Sequence, residues 1–238
     1  MDPAGKRAIV LGGTSGIGLA TAQLLMQQGA NVCALSRSAD NAERARAALG
    51  DDADIRQLDV LDREAMSALF AELAPIDILV NAATGGERAT GPFLEMDLDG
   101  FQGSFRKLWG YVNSVRLGGP LLSDNGCIVL VSGAPARKCP PGFAAISSVG
   151  NAVEGFCRAV APEIAPRRIN VVSPGFIDTP MFPVQGEARE EFLRNTTASN
   201  VIKRAGTPEE VAHAIMFAVE NEFVTGTTVD VDGGALLP

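Results

Sequence analysis

Side chains that commonly move protons are scarce in this chain, which has one histidine, His213, and one tyrosine, Tyr111, among its 238 residues. His213 falls in a late amphipathic segment, so we predict that it lies on a helix surface. The four cysteines form no C-x-x-C pair, and no metal site is predicted.

Basic clusters and long apolar runs are absent as well. The net charge is −8, from 28 acidic and 20 basic residues, and such a surface disfavours nucleic acid and anionic membranes as partners. No apolar run reaches the roughly 18 residues that a membrane span needs, and no signal peptide is recognised. We expect a cytoplasmic protein that acts on a small molecule.

Short apolar runs alternate with helical periodicity along the whole chain. Strands are predicted at 7–13, 31–37, 55–60, 76–82, 127–133, 169–175 and 227–234. Helices are predicted at 18–30, 39–50, 62–74, 97–122, 144–164 and 207–220. Because the strands are apolar throughout, both faces of the sheet are expected to be covered.

This pattern predicts a single α/β domain over 1–238, with a Rossmann-type, doubly wound, mostly parallel seven-stranded sheet and helices on both faces. The polar segment 182–205 interrupts the alternation. It is interpreted either as a lid at the carboxyl edge of the sheet or as a plain surface excursion.

A glycine-rich turn, GGTSGIG (12–18), joins the first strand to the first helix. In this context Gly12 permits the tight turn, Gly16 lets the backbone approach a pyrophosphate, and Gly18 lets helix and strand pack closely. The helix N-terminus adds free N–H groups and a partial positive charge. A dinucleotide is therefore the predicted ligand.

Several segments resemble those of the short-chain dehydrogenase/reductase superfamily over nearly the whole chain. They are Gly12-x-x-x-Gly16-Ile17-Gly18, Asp59-Val60, Asp77-Ile78-Leu79-Val80-Asn81-Ala82-Ala83, Pro174-Gly175-Phe176-Ile177-Asp178-Thr179-Pro180 and Val231-Asp232-Gly233-Gly234. The resemblance implies that cofactor contacts come from Thr14, Ser15, Ile17, Asp59, Val60, Asn81, Ala82, Ala83, Pro174, Gly175, Ile177 and Thr179. It also implies a homo-oligomer, a tetramer or dimer, built through the helices at 97–122 and 144–164.

The end of the second strand, Ser36-Arg37-Ser38, indicates which dinucleotide is bound. NAD binders place an acidic residue there to accept a hydrogen bond from the ribose 2′-hydroxyl. Arg37 can instead pair with a 2′-phosphate, and the two serine hydroxyls can donate to it. The predicted cofactor is NADP(H).

The catalytic residues of that superfamily are missing. The resemblance implies a tyrosine as proton donor, a lysine four residues on, a serine on the substrate oxygen and an asparagine on the long helix. By position, these places hold Ile146, Gly150, Gly133 and Lys107 respectively. Isoleucine donates no proton, so the tyrosine-based mechanism is excluded.

Three interpretations remain open. The first is an atypical reductase in which Lys107 supplies the acid and Ser132, Ser147 and Asn151 supply hydrogen bonds, acting on quinones, activated enones, diketones or iminium carbons. The second is a non-catalytic NADP(H)-binding sensor or partner protein. The third is a non-redox enzyme such as an isomerase, dehydratase or cyclase.

Lys107 favours the first interpretation. Burial of a cation in an apolar pocket is costly, and a chain under no catalytic demand would gain nothing from it. Tyr111, one turn further on, shares its helix face or packs in the core. The expected pocket walls are apolar and suggest an apolar or aromatic substrate. They are Phe143, Ile146, Met181, Phe182 and Trp109.

Overall fold

The computed structural model describes residues 1–50, 53–84, 86, 88–182 and 184–238. Within them, seven strands form one sheet, in the order β3-β2-β1-β4-β5-β6-β7, and every neighbouring pair is parallel. The strands are β1 (Arg7–Leu11), β2 (Asn31–Ser36), β3 (Asp54–Gln57), β4 (Ile76–Asn81), β5 (Leu122–Val131), β6 (Arg168–Pro174) and β7 (Thr228–Val231). The predicted Rossmann-type sheet is confirmed.

Eight α-helices connect the strands in the described residues. They are α1 (Gly16–Gln27), α2 (Ala39–Leu49), α3 (Arg63–Leu73), α4 (Leu98–Ser104), α5 (Arg106–Gly118), α6 (Ala144–Ile164), α7 (Glu187–Thr197) and α8 (Pro208–Glu220). Side-chain caps mark several of their starts. Asp62 accepts from the N–H of Ala65, and Thr207 forms a full capping box with Glu210.

The core consists of one apolar layer on each face of the sheet. Side chains alternate along β1, so that Ile9 and Leu11 face one layer while Ala8 and Val10 face the other. The first layer contains buried side chains of α3, α5 and α6, and the second contains those of α1 and α8. Each fully buried leucine or isoleucine contributes about 1.5–3 kcal/mol to folding.

Several bounds differ from the sequence prediction, and β5 begins at Leu122 rather than at 127. The single helix predicted at 97–122 is broken at Phe105, which ends α4 and precedes α5 with a ψ of −7°. The third strand ends at Gln57 rather than at 60, although Leu58 and Val60 are buried. The polar segment 182–205 contains α7.

None of the helices in the described part of the chain combines the length and the apolar character that crossing a bilayer requires. The assignment of residues 1–238 to one domain stays a prediction.

Candidate active site

The candidate site lies at the carboxyl edge of the sheet, where β1 and β4 are neighbours and the strand order reverses. Connections leave β1 and β4 toward opposite faces there, which opens a crevice between them. The glycine loop follows β1, Asn81 ends β4, Ser132 follows β5 and Pro174 ends β6. The fold therefore gathers most of the predicted site residues at one edge.

The glycine loop is shaped for close backbone approach. A Cβ on Gly12 would lie 2.8 Å from the backbone N of Ala83, and one on Gly18 would overlap the carbonyl of Gly12, so packing requires both glycines. Gly16 has a φ of +50°, and a Cβ there would meet only Thr179. Ser15 begins α1 without a side-chain capping bond, which leaves the first-turn N–H groups for a ligand. This loop fits a pyrophosphate.

The segment after β6 closes over the glycine loop. Thr179 is buried, and its side chain would lie 3.4 Å from a Cβ on Gly16. Gly175 donates its N–H to the carbonyl of Val231 at 2.9 Å, and Ile177 forms an isolated parallel bridge with Gly206. The structure thus brings the predicted nicotinamide-side segment against the predicted pyrophosphate loop.

Asn81 supports the floor of the crevice. Its amide Nδ2 donates to Ser114 Oγ at 3.0 Å, and its Oδ1 accepts from the N–H of Ala83 at 3.1 Å. Ala82 donates its N–H to the carbonyl of Leu11, which ties this loop to β1. Asn81 is therefore used within the fold, where its side-chain oxygen fixes the backbone of Ala83.

Arg37 lies at the far end of the crevice with its guanidinium largely free. Its Nη1 is 3.9 Å from Asp59 Oδ2, and the two side chains are 46% and 38% exposed. Ser36 Oγ accepts from the N–H of Ser38, and Ser38 Oγ accepts from that of Asn41. Both hydroxyls keep their hydrogen, so three donors surround the place predicted for a 2′-phosphate.

Lys107 is half-buried on α5 and points toward the end of β5. Its Nζ donates to the carbonyl of Ser132 at 3.3 Å and lies 5.5 Å from the ring centroid of Tyr111. Burial, and then the nearby Arg88 guanidinium, lower the pKa of Lys107 from 10.5 to about 7. The ammonium is thus poised to release a proton near neutral pH.

Tyr111 is fully buried and serves the core. Its hydroxyl donates to the carbonyl of Val131 at 2.8 Å, and burial raises its pKa well above the usual value. The hydroxyl proton is therefore held within the fold. Tyr111 packs as a core residue and also presents its ring to Lys107.

Arg88 is a site residue that the sequence did not indicate. Its guanidinium contacts the sulfur of Met181, on the segment after β6, and its charge reaches both Lys107 and Tyr111. Much of the Arg88 side chain is exposed, and the part that is desolvated lowers its pKa. The loop that carries it has no apolar periodicity, and its position shortly after Asn81 was the only available signal.

Ser132 and Asn151 use their polar groups on backbone partners. Ser132 Oγ donates to the carbonyl of Gly150 at 3.2 Å. The amide of Asn151 donates to the carbonyls of Ser147, at 3.0 Å, and Ala136. These bonds hold the turn at Ala134–Ala136 against α6, and a catalytic role for Ser132, Ser147 or Asn151 stays a prediction.

Gly150 is required by that same turn. A Cβ at position 150 would lie 2.9 Å from Ala136 Cβ, whereas Gly155, on the same helix, has nothing within 4 Å. We expect Gly150→Ala to lower the free energy of unfolding by about 1–3 kcal/mol through overpacking. Gly155→Ala should raise it by about 0.5–1 kcal/mol. Urea denaturation of both variants checks this pair, and equal effects would contradict the packing described here.

The pocket walls predicted from the sequence divide between two environments. Phe182 packs with Phe176 and Phe192, at ring-centroid distances of 4.6 and 5.7 Å, rather than standing alone. Met181 and Trp109 are 47% and 54% exposed.

Arg189, on α7, donates to the carbonyls of Phe182 and Val184 and pairs with Asp178. These bonds attach α7 to the segment after β6.

A parallel sheet with a glycine-rich loop at its switch point is typical of dinucleotide-binding proteins. Residues 12–235 match the family model described as enoyl-(acyl carrier protein) reductase. The chain is 32% identical to a mouse 3-oxoacyl-[acyl-carrier-protein] reductase, with 98% of each chain covered. It belongs to the short-chain dehydrogenase/reductase superfamily, a family of oxidoreductases that use NAD(P)H.

Solved structures agree with this assignment. A small-chain dehydrogenase in complex with NADPH is 28% identical, with a TM-score of 0.85, over 98% of this chain and 100% of that one. A short chain oxidoreductase from Pseudomonas aeruginosa PAO1, described as containing an atypical catalytic center, is also 28% identical. Its TM-score is 0.86, with 97% of each chain covered.

Proposed function

We propose that the protein is an NADP(H)-dependent reductase with an atypical active site, in which Lys107 is the acid. The substrates are activated carbonyls, quinones, enones or imines with an apolar or aromatic body. The observation that carries this proposal is the half-buried Lys107 ammonium beside the carbonyl of Ser132, with a pKa of about 7. A general acid works best when its pKa lies near the working pH.

The residues at the family's other catalytic places support a relocated acid. Gly133 and Gly150 have no side chain, and Ile146 cannot donate a proton. In the relative from Pseudomonas aeruginosa the catalytic center is likewise described as atypical. Activated acceptors are proposed because they accept hydride readily where fewer groups than in the family's usual site stabilise the developing charge.

The proposed step needs two partners. NADPH, when bound, supplies the hydride to the acceptor carbon. Lys107 donates its proton to the substrate oxygen as negative charge develops there, and the resulting amine recovers a proton from water. The carbonyl of Ser132 orients the ammonium, and the Tyr111 ring stabilises its charge.

Arg37 is the basis for the proposed preference for NADP(H). Its guanidinium, with the hydroxyls of Ser36 and Ser38, offers a charge-assisted site to a 2′-phosphate. The similar small-chain dehydrogenase was solved in complex with NADPH.

The proposed assembly is a homo-oligomer that forms through α4, α5 and α6. Exposed apolar side chains on α4 and α5 include Leu98 and Trp109.

A single-turnover experiment tests the reductase. Excess enzyme and NADPH are mixed with a panel of quinones, enones and diketones, and nicotinamide absorbance is followed. We expect oxidation with at least one class. Tight NADPH binding without oxidation would indicate a sensor or partner protein, and substrate turnover at constant absorbance would indicate a non-redox enzyme.

A further inference from the structure

The short turn Ala134–Ala136 lies between β5 and α6 and is called the β5–α6 turn below. The N–H of Arg137 closes it by donating to the carbonyl of Ala134 at 3.0 Å. Ser132, two residues before the turn, supplies the carbonyl that accepts a hydrogen bond from Lys107 Nζ at 3.3 Å. The position of this turn therefore bears on the group that Lys107 contacts.

Gly133 separates Ser132 from the β5–α6 turn. A glycine has no Cβ and permits a wide range of backbone angles, so local sterics do not orient the peptide group between Ser132 and Gly133. The N–H and the Oγ of Ser132 are bonded to the carbonyls of Val172 and Gly150. The direction of its own carbonyl depends on how the turn that follows is held.

Arg137, directly after the turn, is bonded to two other elements. Its guanidinium donates from both Nη atoms to the carboxylate of Asp230 on β7, with a distance of 2.8 Å from Nη1 to Oδ2. Its Nε lies 3.4 Å from Glu154 Oε1 on α6. A planar guanidinium held between two carboxylates is fixed in one orientation. Arg137 thus ties the turn to both α6 and β7.

Glu154 is a buried partner for this partly exposed arginine, since it is only 5% exposed. Its Oε1 forms no hydrogen bond with the described residues, and its Oε2 lies 3.9 Å from Nη1 of Arg158. Burial raises the pKa of Glu154, while Arg137 and Arg158 act in the opposite direction. A buried carboxylate depends on its cations, so loss of Arg137 affects α6 as well as the turn.

The strand that receives Arg137 also supports the cofactor side of the crevice. Asp230 is followed on β7 by Val231, whose carbonyl accepts from the N–H of Gly175 at 2.9 Å. Gly175 belongs to the segment predicted to hold the nicotinamide. Arg137 therefore connects the backbone that Lys107 contacts to the strand behind that segment.

We propose that Arg137 is a positioning residue, which fixes the β5–α6 turn so that the carbonyl of Ser132 faces the Lys107 ammonium. The inference rests on the proposed reductase function, in which Lys107 is the acid. Because that carbonyl bonds the charged form of Lys107, it favours the ammonium over the amine. Displacement of the turn therefore lowers the pKa of Lys107, and the acid is then protonated less often at neutral pH.

The pKa of Lys107 tests this role without any turnover. The chain has four lysines, and Lys107→Met assigns the signal of Lys107 in the NMR spectrum of ¹³C-labelled lysine side chains. We expect Arg137→Met to lower that pKa by about one unit, as loss of a hydrogen bond to a charged group implies. Arg137→Lys keeps the charge but loses the forked pairing, so it should lower the pKa by less.

The direction of the change distinguishes geometry from charge. Among the described residues, the charged or titratable groups that act on Lys107 are Arg88 and Tyr111, and Arg137 is not one of them. Removal of a positive charge by itself would raise the pKa of a nearby lysine. A fall in Arg137→Met therefore indicates that the bond to the Ser132 carbonyl has been lost.

Arg56→Met is the matched control. The side chains of Arg56 and Arg137 are 33% and 34% exposed, and Arg56 likewise bonds two carboxylates, those of Asp54 and Glu72. Arg56 lies on β3, at the other edge of the sheet. Its loss should lower the melting temperature while leaving the pKa of Lys107 unchanged.

An unchanged pKa in Arg137→Met, or an equal fall in Arg56→Met, would overturn the proposal. Circular dichroism establishes that each variant is folded. If Arg137→Met does not fold, the same comparison is made with Arg137→Lys, where the fall should be smaller but present and its absence counts against the proposal.

The pH profile of turnover separates this inference from the function on which it rests. Where NADPH is oxidised, the falling limb of the rate should move to lower pH in Arg137→Met by the same amount as the pKa of Lys107. A lowered pKa, with no oxidation by the unaltered protein, would uphold the placement of Lys107 by Arg137 and reject the reductase. Oxidation with neither the limb nor the pKa moved would reject the positioning role alone.

Discussion

Lys107→Met is expected to slow NADPH oxidation in single turnover by about 10²–10⁴-fold, the usual contribution of a general acid. Methionine keeps the length and apolar character of the lysine stem, so it removes the proton while leaving the packing on α5 nearly intact. NADPH affinity should be unchanged within about threefold, because Lys107 is placed toward the substrate oxygen. Rapid-mixing absorbance and fluorescence titration measure these two quantities. An unaltered rate of oxidation would remove Lys107 from the mechanism.

The pH profile gives this prediction a second readout. The ammonium form donates the proton, and it is populated below a pKa of about 7. The rate of reduction should therefore be constant at low pH and fall with rising pH above about 7. The described charged or titratable groups that act on Lys107 are Arg88 and Tyr111. Arg88→Ala should move the falling limb to higher pH, and Lys107→Met should eliminate it.

The free energy of unfolding should also depend on pH through the protonation of Lys107. The pKa of Lys107 is 10.5 in the unfolded chain and about 7 in the folded protein. Between these values the unfolded state binds more protons, so the free energy of unfolding should rise as the pH is raised from about 7 to 10.5. Lys107→Met should lose this dependence and be at least as stable as the unaltered protein at neutral pH. Reduced stability at pH 7 would show that the ammonium is well accommodated.

The second large effect is expected at Arg37. Arg37→Ala should reduce the preference for NADPH over NADH by about 10–150-fold, since hydrogen bonds to charged groups contribute about 1.5–3 kcal/mol. The variant also leaves Asp59, whose Oδ2 lies 3.9 Å from Arg37 Nη1, without its cation. That carboxylate would then repel a 2′-phosphate while leaving a 2′-hydroxyl unopposed.

Dissociation constants for both cofactors, measured by fluorescence titration, decide the Arg37 prediction. Arg44→Ala is the matched control, because Arg44 is an exposed arginine on α2 that bonds Asn41. It should preserve the ratio of the two constants. If Arg37→Ala left that ratio unchanged, the 2′-phosphate site would have to be sought elsewhere.

Much of the fold followed from local periodicity. The helix predicted at 144–164 is observed as Ala144–Ile164, and the helix-opening Thr207 is observed as an N-cap. Apolar sequence did not define the strand ends, because Leu58 is buried beyond the end of β3 and only its N–H bonds the carbonyl of Ser36 on β2. The polar α7 escaped detection, since it has few apolar residues and only Thr197 is buried.

The candidate site was harder to predict than the fold. Glycine spacing predicted the tight loop between β1 and α1, because steric overlap allows few other residues at Gly12 and Gly18. The destination of a long flexible side chain depends on tertiary structure, so no local pattern placed Arg88 against Met181. The bond between Ser132 Oγ and the Gly150 carbonyl likewise joins β5 to α6 across 18 residues, beyond the reach of a local signal.

The contact between Gly150 and Ala136 constrains the evolutionary future of this chain. Any side chain introduced at 150 meets Ala136 first, and Asn151 fastens the same turn by bonding the Ala136 carbonyl. A lysine at position 150 requires that the turn move first, and movement of the turn alone places no new side chain in the site. If substitutions at position 150 and in the turn arise one at a time, the intermediate variant is therefore destabilised. A lysine at position 150 is therefore hard to introduce by single substitutions.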